Sequence, residues 1–295
     1  MLEQKLNNGD FVITAEVVPP LSGNRDDLIR KVEPLAGMVD AINMTDGAGA
    51  RLAMAPLAAG AILVREGFEP VMQLTCRDRN RIGLASDLLG AGALGIKNLL
   101  ILRGDDPANG DMPDAKAVFD LESSDVISMA ADMQGFLGKN VREIASQPQF
   151  HVGCADAPHD PKPDWQPDGL RVKIAAGAQF TQTQFCFDIE TAKRYFARLD
   201  ETGITDQLKF IVGIGPLLSV KQALFMNDNL FGVRVPDAVI KRMEAAGDQR
   251  AEGRKICAEI AADLRDISGV SGVHIMAPQQ NGEAIAKTVK AIQAF

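Results

Sequence analysis

The chain has 295 residues, 46% of them hydrophobic, and a formal net charge of −8. That size and apolar content allow one large α/β barrel or two smaller domains. The acidic balance and the absence of a Lys/Arg cluster exclude nucleic acid and anionic lipid as main partners and favour a small molecule.

In chain order, no basic-then-apolar leader opens Met1-Leu2-Glu3-Gln4-Lys5, and no apolar run is long enough to span a bilayer, so a cytoplasmic location is expected. The first strand runs from Phe11 to Val18 and ends at Pro19-Pro20. Glu16 is its odd residue, because a buried unpaired carboxylate is costly; it should line a cavity or meet a cation. Asn24 or Asp26 can cap a helix from Asp27 to about Leu35, followed by a strand from Val39 to Thr45 and the small, polar loop Thr45-Asp46-Gly47-Ala48-Gly49-Ala50. Such a loop lets a ligand approach the backbone, without being a phosphate-loop signature.

A helix from about Ala53 to Glu66 leads to strand Pro70 to Cys76, and Leu84, Leu88 and Leu89 mark a helix from Arg81 to about Ala93. The next stretch, Asn98-Leu99-Leu100-Ile101-Leu102 followed by Arg103-Gly104-Asp105-Asp106-Pro107, organises the rest. A continuous apolar run suits a parallel strand covered on both faces, and its polar C-terminal end is where parallel α/β folds bind ligands. A long turn-rich loop follows, then a helix capped by Ser123 or Ser124 running to about Leu137.

Strand Phe150 to Cys154 emerges into a second long, proline-rich loop that carries His159. After a helix from Leu170 to Ala176, strand Gln179 to Phe187 places Phe180, Gln182 and Gln184 on one face by its alternation. In a closed barrel that face is a candidate polar lumen, and a Gln at the mouth both donates and accepts hydrogen bonds to a heterocycle. A helix from Ile189 to Leu199, a strand from Leu208 to Ile214, helices near Val220 to Phe225, Pro236 to Ala245 and Ala251 to Ile267, a last strand Val273 to Met276 and a helix Glu283 to Ala294 complete the chain.

About eight strands, each followed by helical pattern, predict a single (β/α)8 TIM-type barrel spanning residues 1–295, with no linker or composition shift to divide it. Its mouth should gather Glu16, Thr45, Gln73, Arg103, Asp105, Cys154 and Gln184. Two carboxylates with amides nearby, and no metal-ligand spacing, favour proton-coupled chemistry on a neutral or cationic heterocycle over metal-assisted hydrolysis. Cys76, Cys154 and Cys186 sit in apolar runs and are read as packing residues. A Schiff-base aldolase is disfavoured because Lys97 and Lys209 flank strand starts.

Glu16-Val17-Val18-Pro19-Pro20, the strand end Leu102-Arg103-Gly104-Asp105, and Lys173-Ile174-Ala175-Ala176-Gly177-Ala178 followed by Thr183-Gln184 and Phe187-Asp188 together resemble the methylenetetrahydrofolate reductase family. The order and spacing match over nearly the whole chain. The resemblance implies a cytoplasmic flavoprotein that uses NADH or NADPH, through FAD, to reduce 5,10-methylenetetrahydrofolate in one-carbon metabolism. It implies Glu16 and Asp105 as catalytic residues and Gln184, Asp105 and the position of Gln280 as folate contacts. Flavin contacts fall on Thr45, Ala48, Gln73, Arg103, Gly104, Asp125, His159 and Lys173. A homo-oligomer is compatible with this reading.

Several positions depart from the family pattern. Gln73 stands for a histidine, Glu122 for a tyrosine, Gln166 and Gly169 for polar flavin contacts, Val220 for a phenylalanine, and Met276 and Gln280 for a tyrosine and an arginine. Weakened FAD binding is therefore expected. The alternatives are a flavin-independent folate reductase and a non-catalytic folate-binding subunit.

Overall fold

The computed structural model describes residues 1–139 and 141–295. Eight parallel strands close into a barrel in chain order: β1 (Val12–Val17), β2 (Ala41–Met44), β3 (Pro70–Thr75), β4 (Asn98–Leu102), β5 (His151–Asp156), β6 (Phe180–Phe185), β7 (Lys209–Ile214) and β8 (Val270–Ile275), with β8 pairing back onto β1. This is a TIM-type (β/α)8 fold, as the strand spacing predicts. The outward residues, such as Leu99 and Ile101 of β4, are buried beneath the helices. A parallel strand in a barrel is covered on both sides, which is why the apolar runs do not alternate.

The helices largely follow the sequence pattern, with two exceptions. The first is α1 (Leu2–Asn8), which the sequence pattern did not suggest. Gly9 ends it in the left-handed conformation (φ 81°), and its Leu2 and Leu6 are fully buried in one cluster with the inward residues Val12, Ala41, Val71, Leu100, Phe180 and Ile211. The helix therefore plugs the N-terminal end of the barrel. The second is the segment after β4. Its cap is Glu122, not Ser123 or Ser124: Asp125 at the third helical position accepts from the Glu122 backbone N–H at 2.9 Å. The helix α2 (Ser123–Ala131) then stops at Asp132, whose carboxylate starts the separate turn α3 (Met133–Leu137) by accepting from Gly135 N.

Inward residues above the plug are polar on several strands. Phe180 stacks on His151 (4.5 Å between centroids) and fills the space left by Gly153, where a Cβ would lie 2.3 Å from the ring. One inward step higher, Thr14, Asn43, Gln182 and His274 are all buried.

Candidate active site

Glu16 is the third inward residue of β1, after Val12 and Thr14, and its side chain is 23% exposed at the barrel mouth. The same parity brings Gln73 of β3 inward, and its Nε2 donates to Glu16 Oε2 at 3.0 Å. His274 of β8 places Nε2 3.9 Å from that oxygen. Thr45, one inward step beyond Asn43, the register partner of Glu16, is buried. Among the described residues its Oγ1 has no hydrogen-bond partner, and neither has Nε2 of Gln280 after β8. Buried polar atoms without partners are uncommon and mark places where a ligand or water completes the bonding.

The loops after β2 and β4 are tied across the end of β3. Asp105 Oδ2 accepts from Gly49 N at 2.7 Å, and Asp111 Oδ2 accepts from Leu52 N at 2.9 Å. Beneath them Arg77 is almost fully buried and donates to the carbonyls of Gly47 (3.1 Å) and Asp46 (3.4 Å). Asp46 accepts from both the N–H and the hydroxyl of Thr75 and pairs with Arg79. Gly104 (φ +95°) is required in this corner, because a Cβ would meet Arg77 Cβ at 2.9 Å and Thr75 Cβ at 3.1 Å.

Gln184 sits where the β6–β7 register shifts between Gln182 and Phe185, a bulge that re-aims a side chain. Its Nε2 donates to the Phe231 carbonyl (3.3 Å) and its Oε1 accepts from Phe185 N (3.0 Å). Gly232 (φ +74°) lies alongside, where a Cβ would crowd Ala157 Cβ at 3.2 Å. The segment around Phe231 thus crosses the β5–β6 side of the mouth, and the Phe231 ring is 88% exposed.

Two expected members of the mouth point elsewhere. Cys154 lies on the outward face of β5 and is buried with the helices, and burial pushes its thiol up to about 11, so it is inert packing. Arg103, one residue past the inward Leu102, stacks over the Phe119 ring at 4.3 Å and lies 4.0 Å from Glu122. Side-chain parity decides both: a strand alternates faces residue by residue.

The residues that resemblance assigns to a flavin do not assemble a cradle. Arg103 is engaged by Phe119 and Glu122, and Asp125 is spent on the α2 cap. Lys173 Nζ donates to the Ala155 carbonyl (2.7 Å), while His159 bonds to the Ala157 carbonyl (3.1 Å) and packs on Trp165 and Tyr195. Ala48 lies in the tied β2 loop beside Gly49, and Gln73 is committed to Glu16. Of the polar side chains in that set, Thr45 keeps an open atom. To hold FAD, these side chains would have to exchange their present protein partners for the cofactor.

The polar lumen residues Thr14, Asn43 and His274 carried no motif signal. The sign available in the sequence was their position, two residues before an inward polar group for Thr14 and Asn43 and one residue before the strand end for His274. Sequence comparison settles the ancestry. A profile of the methylenetetrahydrofolate reductase family matches residues 1–293.

The chain belongs to that family.

Over 214 residues it is 32% identical to the 5,10-methylenetetrahydrofolate reductase of Salmonella typhimurium, and over 210 residues 31% identical to that of Escherichia coli. Each alignment covers 71% of this chain and 64% of the relative, so the match spans less than two thirds of those reductases. The fold is shared with an uncharacterised Clostridium thermocellum protein that binds two copies of 5-methyl-5,6,7,8-tetrahydrofolic acid: TM-score 0.69, 15% identity, 99% of this chain and 98% of that one. It is shared also with EDTA monooxygenase from Chelativorans (TM-score 0.56, 12% identity, 96% and 92% coverage).

Proposed function

We propose that this barrel reduces 5,10-methylenetetrahydrofolate to 5-methyltetrahydrofolate with NADH or NADPH. The observation that carries the reading is a carboxylic side chain, Glu16, held at the barrel mouth by Gln73 and faced by His274, in a chain of this family. Folate as ligand is further supported by what the C. thermocellum protein binds on the same fold.

The reaction needs one proton and one hydride. Opening the five-membered ring breaks the bond between the methylene carbon and one nitrogen and leaves an iminium at the other. The departing nitrogen must receive a proton, and Glu16 is the acid that reaches the mouth. The hydride then adds to the iminium carbon from the nicotinamide, which is oxidised to NAD(P)+. Gln184 orients the pterin edge after releasing its bond to the Phe231 carbonyl, an exchange of one neutral hydrogen bond for another. Asp105 supplies a negative charge at the rim that favours the cationic iminium. No step is routed through a flavin, because the side chains that would hold one are engaged by backbone groups and by neighbouring side chains. We infer that FAD binds weakly.

The test is anaerobic turnover of methylenetetrahydrofolate by the purified chain with NADH and with NADPH, each with and without added FAD. Formation of 5-methyltetrahydrofolate by flavin-stripped protein is the expected result. Binding of folate with no turnover under any of the four conditions overturns the enzymatic reading in favour of a folate-binding subunit. Turnover strictly dependent on FAD overturns the weak-flavin inference alone.

A further inference from the structure

Beneath Glu16 the lumen holds a closed set of hydrogen bonds whose direction can be worked out. Asn43 and Gln182 form a reciprocal amide pair: Asn43 Nδ2 donates to Gln182 Oε1 (2.5 Å) and Gln182 Nε2 donates to Asn43 Oδ1 (3.1 Å). The second hydrogen of Gln182 Nε2 points to Thr14 Oγ1 at 3.1 Å. Thr14 Oγ1 lies 2.9 Å from His274 Nδ1. Among the described residues, Nδ1 is the acceptor available to the hydroxyl hydrogen, since Gln182 Nε2 only donates. Nδ1 is also 3.3 Å from that same donor nitrogen, a position that suits an unprotonated ring nitrogen. In the neutral form of the ring the hydrogen therefore sits on Nε2, the nitrogen that faces Glu16 Oε2 at 3.9 Å.

We propose that the buried Asn43–Gln182–Thr14 chain fixes the Nε2–H tautomer of His274 and thereby makes His274 a positioning residue for Glu16. Thr14, Asn43, Gln182 and His274 are each at most 3% exposed, so water does not substitute for a missing partner. Gln73 and His274 approach the same oxygen, Oε2, from different strands, and neither engages Oε1. The network thus selects which oxygen of Glu16 meets substrate. The inference rests on the reading of Glu16 as the proton donor.

Thr14→Val keeps the shape of the side chain and deletes the hydroxyl, whereas Thr14→Ser keeps the hydroxyl. Ring-nitrogen chemical shifts from heteronuclear NMR, with His274 assigned by its loss in His274→Gln, report the tautomer without any assay of function. The expected result is an Nε2-protonated His274 in the wild type and in Thr14→Ser, and a shifted tautomer balance in Thr14→Val. In turnover, Thr14→Val should lose roughly tenfold or more in kcat at similar folate KM, the size of effect seen when a partner orienting a reacting group is removed. Thr14→Ser should be close to wild type, and in a Glu16→Gln background Thr14→Val should cost nothing further. An Nδ1-protonated His274 in the wild type, or an unchanged kcat in folded Thr14→Val, overturns the proposal. If the wild type turns over no folate, the functional reading fails while the NMR result still decides the tautomer.

Discussion

The two halves of the barrel interior are built from the same strands with opposite chemistry. Below, Val12, Ala41, Val71, Leu100, Phe180 and Ile211 close against Leu2 and Leu6 of α1. Above, Thr14, Asn43, Gln182 and His274 bond to one another beneath Glu16. The lower layer is held by burial, which is non-directional and tolerant of small shifts. The upper layer gains little net stability per bond but loses much when one partner is removed, so it fixes orientation rather than adding stability. An apolar floor under a polar layer also keeps water from reaching Glu16 through the barrel.

The largest effect that tests this contrast is expected from Phe180→Ala. The ring is fully buried, stacks on His151 and fills the space over Gly153. Its loss should cost about 3–5 kcal/mol in urea unfolding, as for other buried aromatic-to-alanine changes. A cost below about 1 kcal/mol would show that the lower layer collapses around the gap and is not rigid.

Glu16→Gln should do the reverse, leaving stability nearly unchanged while kcat falls by about 10²–10⁴, the usual contribution of a general acid. Steady-state assay beside a melting curve checks both halves. Wild-type turnover by the variant would demote Glu16 to a structural carboxylate.

The third test uses pH. Burial holds the imidazole of His151 down at about 4, against 6.5 for an ordinary histidine. Between those values the unfolded chain binds a proton that the folded chain does not. The contribution of His151 is therefore fully present above about pH 6.5 and is lost as pH falls towards 4, by up to roughly 3 kcal/mol. Asp156 works in the opposite sense, because desolvation raises its pKa and the folded state takes up its proton first. The difference between wild type and His151→Gln isolates the histidine: their stabilities should converge on going from pH 7 to pH 5. Parallel profiles would mean that His151 is charged or hydrated in the folded protein.

The smallest effect is expected at the rim. Asp105→Asn weakens the bond that holds Gly49 N, and hydrogen exchange at that amide should quicken roughly 2- to 10-fold, as for loss of one ordinary hydrogen bond. Folate reduction should slow as the charge is removed, while the melting curve stays put. Unchanged exchange would show that the β2 and β4 loops are held together by Asp111 and Arg77 instead.

Much of the fold was legible because strands and helices write their period locally. The run Asn98 to Leu102 and the Pro-ended strand at Glu16 announce parallel strands whichever neighbours they acquire. Glu16 itself stood out as a carboxylate in an apolar strand, a mismatch that needs no partner to be noticed. The Phe180, Gln182 and Gln184 alternation likewise indicated a lumen face. What the local pattern misplaced were residues one step from a boundary: of the two assigned to the mouth, Cys154 is turned towards the helices and Arg103 stacks on the loop residue Phe119. Glu122 took the cap expected of Ser123 or Ser124, because Asp125 was placed to answer its N–H.

By itself, then, the sequence determined the barrel, the strand that carries Glu16, and the inward polar alternation of β6, since all three depend on periodicity within a few residues. The tertiary structure alone decided that Leu2 and Leu6 close the floor, because two leucines on a short polar helix carry no signal until there is a hole for them to fill. It alone decided the network under Glu16. Thr14 meets His274 across 260 positions and Asn43 meets Gln182 across 139, pairings created when β8 closes onto β1 and each strand takes its register. Register and closure are properties of the whole chain, and no window along it contains them.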